Sequence, residues 1–130
     1  MASLDMLGPF DLTDDEVNKR VEENRVGNYA FGCIENIDGK RVFVVRYVGR
    51  SDTNLRERIK QSYKQNESIF FDSKCKFFKF SYASTIKEAY EKECRNYHDF
   101  GEYIHLLNKV HPVKPAGCHE GTCPIDGCNK

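Results

Sequence analysis

The sequence has no long apolar run. None approaches the roughly 18 consecutive apolar residues of a membrane helix, so a chain that crosses a bilayer by a helix is excluded. A secretory leader is also missing: the opening MASLDMLGPFDLTDDE is acidic where such a leader is basic and then apolar, and the expectation is a cytoplasmic protein. Cysteine is too scarce for a small disulfide scaffold. Six residues in 130 make about 5%, against roughly 8 to 10% in such scaffolds. Cys33, Cys75 and Cys94 stand singly in apolar or helical contexts, where a free thiol acts as a small hydrophobe, and all six are read as reduced. Internal repeats and low-complexity stretches are absent. Net charge is absent too, with 20 basic against 20 acidic side chains, which at first argues against a nucleic-acid partner.

That sum conceals a segregation. Residues 1–26 carry three basic and seven acidic side chains, whereas residues 40–79 carry eleven basic and four acidic, a surplus of seven. A strongly basic middle inside a neutral protein is either a solvated face or a phosphate-binding surface. The rest of the composition, 39% hydrophobic, 12% aromatic and 31% charged with the signs interspersed, describes one folded domain with a modest core and excludes general disorder.

The coarse order of elements follows from turn and capping signals. Thr13 with Glu16 three residues on is a capping box, opening a short acidic helix to about residue 23; the dozen residues before it are expected to be poorly ordered. Residues 28–34 (NYAFGCI) alternate and residues 41–48 (RVFVVRYV) are β-branched and aromatic. Asp38-Gly39 between them signals a hairpin. Period-2 geometry predicts Tyr29, Phe31 and Cys33 on one face of the first strand and Phe43, Val45 and Tyr47 on one face of the second. Leu55, Ile59 and Tyr63 make an apolar stripe on a basic helix over 54–65. Residues 76–83 read as a third strand. A second helix runs from about 85 to 97 with Ile86, Ala89 and Tyr97 in its apolar column and Glu93 inside it. A third helical stretch is predicted over 101–107. The fold class is a small α/β (α+β) domain, a three-stranded antiparallel sheet flanked by helices. An acidic segment, 1–26, precedes it and a Cys-rich tail, 113–130, follows.

Five short motifs stand in order along the core segment: Gly27-Asn28-Tyr29, Tyr47-Val48-Gly49, Leu55-x-x-Arg58, Glu88-Ala89 with Glu93, and Asn108 in HLLNKVHP. In that order the chain resembles the GIY-YIG endonucleases over residues 27–112. The resemblance implies a catalytic set of Tyr29, Tyr47, Arg58, Glu93 and Asn108, with Glu93 as ligand to magnesium or manganese. Chemistry agrees with it. Phosphodiester hydrolysis needs a positioned water, a group to take its proton and cations around the developing charge. The tyrosines could orient water or, if a neighbouring cation lowered a phenol's pKa, deprotonate it. Arg46, Arg50, Lys60, Tyr63 and Lys64 are the expected contacts to DNA. A departure concerns the position one turn after the arginine, where many relatives place His or Tyr and this chain has Ser62, with Tyr63 beside it. The stretch between the tyrosine motifs is also longer than usual.

In the tail, Cys118, Cys123 and Cys128 recur at spacings of five with His119 and His111 nearby, a set that could hold zinc tetrahedrally or stay a reduced tail. The function expected is a metal-dependent DNA endonuclease. The alternatives are a non-catalytic nucleic-acid-binding module on the same scaffold and a zinc-stabilised interaction domain.

Overall fold

The computed structural model of the protein describes residues 6–65 and 76–99. The elements are β1 (Leu7–Asp11), α1 (Asp14–Arg20), β2 (Gly27–Ile37), β3 (Lys40–Ser51), α2 (Leu55–Gln65), β4 (Phe77–Tyr82) and α3 (Ile86–Asp99). The stretch expected at 101–107, Asn108, His111 and the whole Cys-rich tail lie outside the described residues. Among the described residues no helix is long and apolar enough to cross a membrane.

The strands make one antiparallel sheet in the order β1-β4-β2-β3, so the sheet has four strands where the sequence predicted three. The strand missed is β1. Its five residues, LGPFD, carry a Gly-Pro pair that reads as a loop, and a register shift between Leu7 and Phe10 breaks the alternation. Tertiary packing holds it: Phe10 lies 5.6 Å from the Phe78 ring and 6.0 Å from that of Phe80.

The central hairpin forms as expected. Asp38 and Gly39 both take positive φ, 52° and 79°, the left-handed pair that suits the twist of a two-residue turn. Pairing runs from Ile37 with Lys40 to Gly27 with Ser51, interrupted once where Phe31 faces Tyr47 but Gly32 faces Val45. Arg46 is the extra residue of this bulge. It overturns the predicted face of β3: Tyr47 joins the cluster around Tyr29 and Phe31, while Val45 and Phe43 pack on the opposite side. One inserted residue shifts the phase of a period-2 pattern.

Helices cover both faces. On one, Val17 and Val21 from α1 and its C-cap and Leu55 and Ile59 from α2 bury against Tyr29, Phe31, Phe78 and Phe80. On the other, Tyr97 of α3 packs with Ala30, Val45 and Val48. Thr13 caps α1 as its sequence predicts, its Oγ1 accepting from the Glu16 backbone at 3.2 Å. The stripe on α2 is Leu55 and Ile59 with Tyr63 packed half-buried against the same cluster, and Ser62 is buried beside it. On α3 Ile86 is exposed, and the buried face comprises Ala89, Tyr90, Glu93, Cys94, Asn96 and Tyr97.

Candidate functional site

The motif residues converge on the end of the sheet where β2 begins and β3 finishes. Ser51 closes β3, and its Oγ accepts from the backbone of Thr53 at 3.3 Å and Asn54 at 3.0 Å. That turn starts α2 directly beside the strand ends. With Leu55 and Ile59 buried, Arg58 emerges exposed from the helix.

Tyr29 lies opposite Gly49 in the pairing, and its phenol lies across that glycine. A Cβ at Gly49 would stand 2.4 Å from Tyr29 Oη and 2.3 Å from Cζ, so the glycine of the second motif makes room for the tyrosine of the first. The Tyr47 ring stacks beside it, with centroids 6.3 Å apart and planes at 22°. Tyr29 is fully buried, while Tyr47 is half-buried. Burial pushes the Tyr29 phenol far above its usual range. Tyr47 and Glu93 add to the rise, and the Ser62 hydroxyl and the Arg58 guanidinium oppose it. The direction of this shift runs against the sequence expectation that a neighbouring cation could lower the phenol's pKa.

Glu93 reaches the same end from the other side of the sheet. Asn28 alternates with Tyr29 and points to α3, where its Nδ2 donates to the Ala89 carbonyl at 2.8 Å, one turn before Glu93. The Glu93 residue is 9% exposed. Burial raises its carboxyl above the ordinary glutamate value, against the pull of Arg50 and, more weakly, Arg58. Arg50 Nη1 donates to Glu93 Oε1 at 2.5 Å and its Nε to Asp52 Oδ1 at 2.9 Å. Tyr29 lies within electrostatic reach of Tyr47, Arg58 and Glu93, and Glu93 within reach of Arg58 as well, the tyrosines and Arg58 on the α2 side, Glu93 and Arg50 on the α3 side.

The other predicted contacts are placed differently. On α2, Lys64 meets Asp14 at 2.8 Å, the Tyr63 hydroxyl donates to the same carboxylate, Lys60 donates to Asn18 at 3.0 Å, and Arg56 pairs with Glu23 at 3.0 Å. Of the four cations on α2, only Arg58 has no ion-pair partner among the described residues. Arg46 sits at the bulge, where it lowers the pKa of the Cys33 thiol against the larger upward effect of burial. Sequence reasoning missed Asn28, Asp52 and the role of Ser62. Only Ser62 carried a signal, since it falls three residues after Ile59 on the buried stripe.

For a metal, Glu93 offers one carboxylate whose Oε1 is taken by Arg50, which leaves Oε2. Among the described residues no three His, Cys, Asp or Glu side chains gather into a cage. One carboxylate oxygen suits a magnesium ion that keeps most of its water, and Glu93 fits that mode once Arg50 no longer neutralises it. Comparison with known proteins gives no match to a family model, to a curated protein or to a solved structure.

Proposed function

We propose that the chain is a metal-dependent endonuclease, acting in the cytoplasm, that hydrolyses phosphodiester bonds in DNA through a GIY-YIG-type site. The observation that carries this reading is the meeting of Tyr47, Arg58 and Glu93 around Tyr29 at one end of the sheet. Arg58, unpaired among the described residues, grips a non-bridging phosphate oxygen pair with its planar fork. Tyr47, the more accessible phenol, orients the attacking water, and Tyr29 holds its neighbour's ring in place. Glu93 would hold magnesium, or manganese, which would supply charge stabilisation and a more acidic water. Asn108 and a zinc set of Cys118, Cys123, Cys128 and His119 belong to the same proposal and fall outside the described residues.

The test is cleavage of plasmid and branched DNA with and without magnesium. Glu93→Gln should abolish the magnesium-dependent cut with the circular dichroism spectrum unchanged; undiminished cutting by that variant sinks the assignment. The full burial of Tyr29 favours a second reading, a nucleic-acid-binding module without turnover, which the same assay separates as binding without cleavage.

A further inference from the structure

Glu93 does not stand open to an ion. Its side chain and that of Arg50 are each 12% exposed, and Arg50 is held on Glu93 Oε1, on Asp52 Oδ1, and over the Tyr90 ring at 5.2 Å from its centroid. The guanidinium therefore covers and neutralises the one carboxylate that the proposed site assigns to a metal. A hard divalent cation and a guanidinium cannot share that carboxylate at close range without strong mutual repulsion, because little water separates them there. Asp52 is the more exposed of the two carboxylates, at 32%, and offers Arg50 a place to remain when it leaves Glu93.

We propose that Arg50 is a latch on the metal position: it competes with the divalent cation for Glu93, and the ion binds only as Arg50 releases Glu93 while keeping Asp52. The proposal rests on reading Glu93 as a metal ligand. Arg50 is thus a positioning residue, acting on the ion through Glu93. The partnership has a sequence basis, since Arg50 follows the second motif directly and pairs in register with Asn28, the residue tied to α3 one turn before Glu93.

The experiment is a Mn2+ titration of the full chain followed by electron paramagnetic resonance, with no substrate and no activity readout. Arg50→Met should bind Mn2+ on the order of tenfold more tightly than the unaltered chain. Arg50→Lys, which keeps the charge, should stay near the unaltered affinity, and Glu93→Gln should abolish the site in either background. Equal or weaker binding by folded Arg50→Met overturns the latch alone. Absence of a site in both the unaltered chain and Arg50→Met overturns the latch together with the reading of Glu93. Because Arg50→Met leaves a buried carboxylate without its cation and could fail to fold, a second measurement uses the unaltered chain. The Nε–Hε resonance of Arg50 should move with the Glu93 amide as Mg2+ is added. An Arg50 resonance that stays still while the Glu93 amide saturates overturns the proposal.

Discussion

At the scale of single residues, the same burial that organises this end of the sheet sets what each group can do. Tyr29 lies across Gly49, and a methyl group there collides with the phenol. Gly49→Ala should cost about 2 kcal/mol of stability in urea unfolding, in the range of an overpacked core, and Tyr29→Ala should relieve part of that cost in the double variant. Glu93 supplies a pH signature. Its folded pKa is raised by burial, so between the ordinary glutamate value and the raised one the folded chain binds more protons than the unfolded chain. Its contribution to stability therefore falls as pH rises through that window. Compared with Glu93→Gln, the unaltered chain should lose ground in denaturation experiments as pH climbs above the ordinary glutamate value. Magnesium-dependent cleavage, which needs the ionised carboxylate, should rise over the same interval. A stability difference that does not change with pH contradicts this.

At the scale of elements, the signals that could be read were the ones fixed locally. Thr13 with Glu16, Asp38 with Gly39, and Leu55 with Ile59 each specify a cap, a turn or a stripe within a few residues, and all three appear where the sequence places them. What escaped depended on distant partners. Strand β1 is held by Phe10 against Phe78 and Phe80, nearly seventy residues on, and the Arg46 bulge is visible only once β2 supplies the register. Of the candidate site, Glu93 was legible because a carboxylate in an apolar column is conspicuous; Asn28 was not, since its partner is a backbone carbonyl on α3. The α1–α2 contact, between side chains 49 and 50 positions apart in sequence, makes its own prediction. Lys64 and Tyr63 hold the Asp14 carboxyl below its usual value. That stabilisation is present above the ordinary aspartate value and is lost as pH falls through the lowered one. Asp14→Asn should cost about 0.5 kcal/mol near neutrality, as befits a largely exposed pair, and the difference from the unaltered chain should vanish in acid.

At the scale of the molecule, the neutral net charge becomes a local arrangement. The acidic N-terminal portion provides Asp14 and Glu23, and these sit on Lys64 and Arg56, so the surplus of positive charge on α2 is answered by a built-in counterion. This portion cannot be detached as a lid. Val17 and Val21 are in the core and β1 completes the sheet, so deleting it removes structure as well as charge. Neutralisation separates the two effects. In the proposed nuclease, Asp14→Asn with Glu23→Gln should strengthen binding to a DNA duplex several-fold at low salt and steepen the salt dependence, because two more cations become available to phosphates. Arg58→Ala, which removes a cation already available, should weaken binding across sequences and reduce the salt slope by about one. The two variants together should act independently if the acidic N-terminal portion shields only Arg56 and Lys64. Fluorescence anisotropy across a salt series reads all of these quantities, and an affinity unchanged by the double neutralisation means that DNA does not approach this face of α2.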